Sequence, residues 1–273
     1  MIATNAPERE PDYFESRRAN QEHWAGQAQR YGASLSATAS TAWVRAGTLR
    51  RLRRVVRPGD RILEVGCGNG NLLGPLAGGC HAIGVDLTAD MLQIAREHHS
   101  EIRGFARADA TWLPFRDQSF DLVYTSRCLI NILDPAKQAD ALGEILRVVK
   151  PNGTVVLSEN FAEFVERLNR VKKRFHAGPI DVDAHNLRLD FDDTLRLCRE
   201  RGWVPGRIQG YAMTSFLAHV LIGGLTRRRG GRFAQRVFAP VLAALARFDD
   251  VASQWLPHFG KDTTIVLQLS ARL

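Results

Sequence analysis

The sequence has few cysteines and no apolar run long enough to cross a membrane. Its four cysteines, among 273 residues, form no Cys-x-x-Cys pair, so they predict neither a metal site nor a disulfide framework. The longest apolar stretch toward the C-terminal end, residues 216–225, contains His219 and two glycines and is too short for a membrane-spanning helix. The polar first 13 residues include acids, unlike a signal peptide. Together these absences predict a cytoplasmic protein without a bound metal.

The chain also lacks the mixture of aromatic and basic residues that a nucleic-acid stacking surface needs. Its formal net charge is +8, and basic clusters lie at residues 50–54, 167–174 and 227–232. Such clusters occur at nucleic-acid and anionic-membrane contacts, but a solvated arginine-rich surface gives the same pattern. Because no aromatic residues alternate with these charges, we favour the solvated surface and expect no nucleic-acid partner.

Short apolar segments alternate with helical patterns from about residue 49 onward. Helices are predicted over 48–56, 71–77, 88–98 and 191–201, and residues 135–149 carry a clear apolar stripe. The predicted strands cover residues 61–65, 81–86, 102–107, 120–125, 154–158, 204–211 and 263–269. Alternation at this spacing indicates βαβ units and a parallel sheet, and therefore an α/β protein.

A glycine-rich turn, Glu64-Val-Gly66-Cys-Gly68-Asn-Gly70, follows the first predicted strand directly. Glycines at this point let the backbone turn sharply and let a ligand approach main-chain atoms closely. The spacing is G-x-G-x-G, whereas the dinucleotide fingerprint is G-x-G-x-x-G. The Glu64 carboxylate would repel a pyrophosphate, so the turn favours a ligand that carries a cationic amine and a sulfonium.

Two aspartates follow the next two predicted strands. Asp86 ends the second strand, 20 residues after Gly66, where a carboxylate can accept hydrogen bonds from both hydroxyls of a ribose. Asp109 follows the third strand and is placed to accept a hydrogen bond from an exocyclic adenine amine. These two positions indicate a ligand with an adenosine part.

Five motifs, in order, resemble those of the class I S-adenosylmethionine-dependent methyltransferases. The resemblance is strong over residues 49–159 and looser over the final strands. It implies a Rossmann-like three-layer sandwich, with a mostly parallel seven-stranded sheet whose last strand is antiparallel. The motifs are the glycine turn, Gly84-Val-Asp86-Leu87, Ala108-Asp109-Ala110-Thr-Trp-Leu-Pro-Phe115, Phe120-Asp-Leu-Val123, and Leu146-Arg-Val-Val-Lys-Pro-Asn-Gly-Thr154.

The resemblance also implies which residues bind S-adenosylmethionine, which leaves as S-adenosylhomocysteine. The glycine turn would pack against the methionine part, with Glu64 near its amino group. Asp86 would hold the ribose, and the region around Asp109 would read the adenine. Ser126-Arg127 would line the floor near the sulfonium. The complete implied set is Glu64, Gly66, Cys67, Gly68, Asp86, Leu87, Met91, Asp109, Ala110, Ser126 and Arg127.

The methyl acceptor needs other groups, because a hydroxyl acceptor usually requires a base. His185 is the first candidate, since imidazole has a suitable pKa and Asp181 or Asp183 could orient it. The alternative is a surface histidine in an acidic loop. Glu159, directly after the fifth strand, is the second candidate, and its alternative is a structural acid that caps a neighbouring helix. His23-Trp24, in the N-terminal segment, completes the set.

A narrower resemblance bears on the substrate. Residues 31–38 look like the N-terminal segment of a bacterial subgroup associated with surface-glycan and related small-molecule pathways, and Glu159-Asn160-Phe161 and His185-Asn186 match its later motifs. It implies O-methylation of a sugar or glycan-pathway intermediate or of another bacterial secondary metabolite. N- or C-methylation of a quinone-like or polyketide molecule stays open, as do RNA methylation and a non-catalytic cofactor-binding protein. An Asn-Pro-Pro-Tyr-type motif is absent after the fourth strand, which argues against RNA amino-methylation.

Three further segments are predicted to surround the site. Residues 1–48 form an N-terminal helical arm, and residues 49–273 form the methyltransferase domain, with insertions at about 160–190 and 212–261. The helical second insertion packs on the core or on a partner subunit, or it forms an amphipathic lid for a hydrophobic or lipid-linked substrate at a membrane surface. Besides a small-molecule substrate, the sequence therefore allows a homodimer and a peripheral membrane contact.

Overall fold

The computed structural model describes residues 13–38, 42–174, 178–210 and 262–270. Two short 3-10 turns, Leu35–Thr38 and Leu129–Asn131, accompany the helices and strands. The helices are α1 (Tyr13–Tyr31), α2 (Ala42–Leu52), α3 (Gly74–Ala77), α4 (Ala89–His98), α5 (Pro135–Val148), α6 (Ala162–Arg174) and α7 (Phe191–Glu200). The strands are β1 (Arg61–Val65), β2 (His81–Asp86), β3 (Gly104–Arg107), β4 (Phe120–Ser126), β5 (Val149–Glu159), β6 (Trp203–Gly210) and β7 (Thr263–Leu269).

The seven strands form one sheet in the order β3-β2-β1-β4-β5-β7-β6. The pairs from β3 to β5 are parallel, and in the centre Leu63 of β1 lies between Ile83 of β2 and Val123 of β4. The last strand, β7, is antiparallel to both of its neighbours. The predicted Rossmann-like α/β fold with an antiparallel last strand is therefore confirmed.

Neighbouring residues of the central strands pack on opposite faces of the sheet. On one face, Leu63 and Val123 join a buried cluster with the predicted apolar stripe of α5. On the other face, Ile62 and Tyr124 join a second cluster with Leu52 of α2 and the apolar residues of α3. Because burying one large apolar side chain contributes about 1.5–3 kcal/mol, these clusters hold helices on both faces and make the three layers.

The helix predicted over residues 48–56 begins and ends earlier than expected. It is α2, Ala42–Leu52, so the predicted boundary between arm and domain at residue 48 falls inside a helix. The amides of Val55 and Val56 both donate to the Leu52 carbonyl oxygen at 3.0 Å, which closes the helix with a turn. A continuous helix therefore joins the predicted arm to the predicted domain.

Among the other elements, α3 and β5 differ most in length from the prediction. The helix expected over residues 71–77 shrinks to α3, because Pro75 has no amide hydrogen and fits only the first turn of a helix. Before that turn the Asn71 side chain donates to the Ala33 carbonyl oxygen at 2.9 Å. The fifth strand begins earlier than expected, because Phe120 of β4 already pairs with Val149.

The first predicted insertion contains α6, and a bridge between Phe161 and Leu189 brings its two ends together. The second insertion, at 212–261, lies outside the described residues, and so do its predicted helices. Within the described ranges, no helix is both long and apolar enough to cross a membrane. The same ranges contain no group of three His, Cys, Asp or Glu residues that could hold a metal ion.

Candidate functional site

A cavity lies at the carboxyl ends of the parallel strands, where open α/β sheets commonly bind ligands. Its lining follows the sheet order, from Asp109 after β3, through Asp86 at the end of β2 and Gly66 after β1, to Arg127 after β4. The predicted roles would place adenine near β3 and the reacting end between β1 and β4. All the residues implied to bind the cofactor line this cavity: Glu64, Gly66, Cys67, Gly68, Asp86, Leu87, Met91, Asp109, Ala110, Ser126 and Arg127.

The glycine turn passes close against the segment that follows β4. Gly66 has a φ of 75°, a conformation that side-chain-bearing residues rarely adopt. A Cβ atom at Gly66 would lie 2.5 Å from the Cys128 sulfur, so no larger residue fits without a shift. The amides of Gly66 and Cys67 both donate to the Val85 carbonyl oxygen, at 2.8 and 2.9 Å, and fix the turn against β2.

Glu64 is a buried acid beside this turn, with only 2% of its surface exposed. Burial raises the pKa of its carboxyl well above the usual range, and the charge of Asp86 raises it further. The Tyr124 hydroxyl donates to Glu64 Oε2 at 3.2 Å, and this bond and the charge of Arg45 oppose the increase. A buried carboxylate gains from a nearby cation, so Glu64 fits its predicted place beside an ammonium group.

Asp86 is anchored by backbone amides. Its Oδ2 accepts a hydrogen bond from the Gly68 amide and its Oδ1 accepts one from the Thr88 amide, both at 2.8 Å. Burial raises the pKa of this carboxyl, and these amide bonds oppose the increase. An ionised carboxylate has about four lone-pair sites, so Asp86 retains capacity to accept bonds from the two ribose hydroxyls.

Asp109 is more fully engaged than Asp86. Its Oδ1 accepts bonds from the amide and the hydroxyl of Thr111, at 2.9 and 2.8 Å. Its Oδ2 accepts a bond from the Tyr13 hydroxyl at 3.0 Å and lies 2.6 Å from Arg17 Nε. Burial raises the pKa of Tyr13 to about 12, so the phenol keeps its proton and donates. An adenine amine that binds Asp109 must therefore compete with Tyr13 or Arg17.

One face of α1 also lines the cavity, and sequence reasoning missed most of it. Gln21 Nε2 donates to the Leu87 carbonyl oxygen at 3.2 Å, and Asn20 Nδ2 donates to the Asn131 carbonyl oxygen. Because this stripe is polar, a search for apolar periodicity does not find it. The usable signal is the spacing of three and four residues, which places side chains on one helix face. The residues concerned are Tyr13, Ser16, Arg17, Asn20, Gln21 and Trp24.

Three acceptor-side candidates meet beside the cavity. The His185 ring stacks on His23, with ring centroids 4.1 Å apart, and meets Trp24 edge-on at 5.5 Å. Trp24 itself lines the cavity, whereas His23 and His185, which pack against it, are not among the lining residues. The candidates from the arm and from the first insertion thus form one aromatic cluster.

His185 is suited to act as a proton acceptor at neutral pH. Burial lowers the pKa of its imidazole, the charges of His23 and Arg127 lower it further, and the charge of Asp183 raises it. The expected orientation by Asp181 or Asp183 is not seen, because among the described residues neither carboxylate is hydrogen-bonded to the His185 ring, and Asp183 Oδ2 accepts a bond from Asn186 Nδ2 at 3.3 Å. Packing against His23 and Trp24 positions the ring instead.

Glu159, the second predicted catalytic residue, does not line the cavity. Its side chain is fully buried, and Oε1 accepts bonds from the amides of Cys128 and Leu129, at 3.0 and 3.3 Å. It therefore caps the turn Leu129–Asn131, which matches the structural alternative for this acid. Burial raises the pKa of its carboxyl. Its catalytic role stays a prediction.

The cavity residues fit S-adenosylmethionine in charge and in hydrogen-bonding capacity. Three acids, Glu64, Asp86 and Asp109, and three arginines, Arg17, Arg45 and Arg127, line the cavity, so it offers partners for both the ammonium and the carboxylate of a methionine part. Asn20 and Asn131 also line the cavity, and their Oδ1 atoms are buried without a hydrogen-bond partner in the described structure. Buried acceptors of this kind are normally satisfied, so a donor group of a ligand would complete them.

Comparisons with known proteins identify the class. A family model described as a methyltransferase domain matches residues 62–153. The chain is 31% identical over 196 residues to the ubiquinone/menaquinone biosynthesis C-methyltransferase UbiE of Vibrio vulnificus, covering 65% of this chain and 73% of that one. The chain belongs to the class I S-adenosylmethionine-dependent methyltransferases, and S-adenosylmethionine is the cofactor of this class.

Further similarities refine this assignment. The demethylmenaquinone methyltransferase of Renibacterium salmoninarum is 40% identical over 120 residues, covering 41% of this chain and 49% of the relative. The match thus spans about half the length of that relative. A TehB-like methyltransferase from Corynebacterium glutamicum has a similar fold, with a TM-score of 0.53, 16% identity and coverage of 93% of this chain and 100% of that one.

Proposed function

We propose that this protein transfers a methyl group from S-adenosylmethionine to a carbon atom of a planar, quinol-like small molecule. The observation that carries the proposal is the aromatic cluster of Trp24, His23 and His185 beside the cavity, which suits a flat ring. The names of the two curated relatives, both methyltransferases of quinone biosynthesis, support the same class of acceptor.

In this proposal the chain supplies alignment, a base and exclusion of water. When bound, S-adenosylmethionine supplies an electrophilic methyl group, so the protein mainly has to hold the acceptor in line. Trp24 would stack on the ring, and His185 would accept the proton of the ring hydroxyl. The carbon that gains the methyl group would then lose its own hydrogen as a proton while the ring oxygen regains one, so that the ring becomes aromatic again. The polar face of α1 covers the cavity, and we propose that the predicted arm acts as a lid.

A second candidate is O-methylation of a sugar or another hydroxyl-bearing metabolite. The polar side chains that α1 presents to the cavity, such as Ser16, Asn20 and Gln21, favour it. Both candidate reactions use His185 as the base. They differ in the atom that receives the methyl group, which is a carbon in the first and an oxygen in the second. A lipid-linked substrate, a membrane contact and a homodimer stay predictions, because they depend mainly on residues 212–261.

Product analysis with the purified protein tests the proposal. The protein is incubated with S-adenosylmethionine and either 1,4-dihydroxynaphthalene, kept reduced, or a panel of free and nucleotide-linked sugars. Mass spectrometry detects methylation, and NMR distinguishes a C-methyl from an O-methyl product. The Gly66→Ala variant is the negative control.

We expect a C-methyl product from the reduced ring and none from 1,4-naphthoquinone, which has no hydroxyl proton to lose. An O-methylated sugar would support the second candidate instead. Cofactor binding without transfer to any acceptor would contradict both and favour a non-catalytic cofactor-binding protein.

A further inference from the structure

Arg127 has an unusual backbone conformation at the acceptor end of the cavity. It is one of two non-glycine residues with positive φ in the described ranges, at 56°. Its amide donates to the Ser158 carbonyl oxygen at 2.9 Å, and its carbonyl oxygen accepts a bond from Asn131 Nδ2 at 2.7 Å. The surroundings thus hold a strained conformation in place, which is common where a side chain has a functional task.

The charge of Arg127 argues against its predicted role beside the sulfonium. A guanidinium and a sulfonium are both cations, so their approach in a partly buried site is unfavourable. The carboxylate of Asp262, with Oδ1 3.5 Å from Nη1, is a loose partner, because charge-assisted bonds of this type are usually about 2.7–2.9 Å. A guanidinium has five N–H donors, and among the described residues Asp262 is the side-chain partner of Arg127, so on that part of the chain most of its donors are available to a ligand.

Arg127 and Trp24 line the same cavity, and the His185 ring meets Trp24 edge-on at 5.5 Å, so His185 lies near the part of the cavity that holds Arg127. The two side chains come from separate segments of the chain, since Arg127 follows β4 and His185 belongs to the first insertion. One is a permanent cation and the other is a base packed against aromatic rings. This pairing is what the ionisation of an acceptor hydroxyl requires.

We propose that Arg127 binds the acceptor hydroxyl oxygen and stabilises its anionic form, while His185 takes the proton. The O–H bond of the acceptor breaks, an N–H bond forms on the imidazole, and the negative charge remains on the oxygen that faces the guanidinium. This inference rests on the proposed function, because it assumes a phenolic or quinol-like hydroxyl. It makes Arg127 a residue that selects acceptors by their ability to form an oxyanion.

A coloured phenol tests this subsite without methyl transfer. The protein is saturated with S-adenosylhomocysteine, and the pKa of bound 4-nitrophenol is read from its phenolate absorbance. We expect the wild-type protein to lower the pKa of the bound phenol by at least about one unit, a tenfold shift in ionisation. Arg127→Gln should abolish that shift, and Arg127→Lys should keep part of it.

Two further variants keep the test interpretable. Arg127→Asn is a second neutral variant, because asparagine tolerates a left-handed backbone better than glutamine does. Arg196→Gln is the matched control, since Arg196 forms exposed ion pairs with Asp193 and Glu200 on α7. Circular dichroism and calorimetry with S-adenosylhomocysteine check folding and cofactor binding.

An unchanged phenol pKa in both neutral variants would overturn the inference, as would a wild-type protein that does not bind the phenolate preferentially. These outcomes are distinct from failure of the proposed function. If the wild-type protein methylates the quinol but the pKa of the bound phenol does not depend on Arg127, the proposed function stands and the Arg127 subsite is wrong. If the wild-type protein lowers the pKa of the bound phenol but methylates no quinol, the Arg127 subsite stands and the proposed acceptor is wrong.

Discussion

The predicted cofactor side and the proposed acceptor side of this cavity are assembled in different ways. The cofactor side draws on residues 64–110, which follow consecutive strands of the sheet. The proposed acceptor side joins Trp24, Arg127 and His185, which come from three separate parts of the chain. Parallel strands necessarily bring their carboxyl ends to one edge, whereas the acceptor side depends on how the arm and an insertion pack.

This difference predicts that substitutions on the two sides affect different measurements. Changes on the cofactor side should alter binding of S-adenosylhomocysteine. Changes on the acceptor side should alter turnover or acceptor ionisation while cofactor affinity stays the same. The predictions below test that separation, beginning with the largest expected effect.

Gly66→Ala should abolish cofactor binding. The new Cβ would lie 2.5 Å from the Cys128 sulfur, at a φ of 75° that alanine rarely adopts, so the turn must shift. We expect a loss of stability of about 2–4 kcal/mol and no measurable S-adenosylhomocysteine binding by calorimetry. Gly104→Ala is the matched control, because a Cβ there meets nothing within 4 Å. Normal binding by the Gly66 variant would contradict the assignment of the turn.

His185→Ala should reduce turnover by about 10²–10⁴-fold, the usual contribution of a general base. Its affinity for S-adenosylhomocysteine should not change, because His185 lies on the acceptor side. A parallel loss of cofactor affinity would mean that the two sides are not separable. His23→Ala is a useful companion, since it removes the stacking partner but leaves the base.

The pH profile sharpens the same assignment. Burial and the charges of His23 and Arg127 lower the pKa of His185, against the opposing charge of Asp183. The imidazole therefore stays neutral to a lower pH than an ordinary histidine, and kcat/KM should fall only below about pH 6.5, as protonation removes the base. An acid limb above that value would assign the base to another group.

Arg17→Gln should tighten binding of S-adenosylhomocysteine by a few-fold, about 0.5–1 kcal/mol. The substitution removes the ion pair with Asp109 and frees that carboxylate for the adenine amine. Calorimetry at two salt concentrations measures the effect, which should weaken as salt screens the wild-type pair. Arg18→Gln is the control, because Arg18 is exposed and pairs with Glu22. Weaker binding would show instead that the ion pair of Arg17 with Asp109 is kept when S-adenosylhomocysteine is bound.

Glu159→Gln should have the smallest effect, with turnover within roughly threefold of wild type, less than about 1 kcal/mol. The glutamine oxygen can still accept the bonds from the Cys128 and Leu129 amides. Glu159→Ala should instead destabilise the fold by about 1–3 kcal/mol, because two amides lose their acceptor. A large loss of turnover in the well-folded glutamine variant would restore Glu159 as a catalytic acid or base.

Much of the fold and of the cofactor side could be predicted because the signals are local. Each strand pattern is followed within a few residues by its own turn or acid, so every piece can be recognised locally. The parallel sheet then fixes the relative positions of these pieces. Element ends were less predictable, as α2 and α3 show, because they depend on contacts with distant residues such as the bond from Asn71 to Ala33.

The sequence by itself determined that this chain folds as an α/β methyltransferase and which residues form the row along the strand ends. Only the tertiary structure revealed that α1 presents a polar face to the cavity, that Asp109 is already held by Tyr13 and Arg17, and that His185 meets His23 rather than an aspartate. The physical reason is the range of the interactions. Backbone turns and strand ends are encoded by neighbouring residues, whereas the contacts of α1 at the cavity and the cluster of His23, Trp24 and His185 join segments up to 162 residues apart (from His23 to His185), which no local pattern specifies.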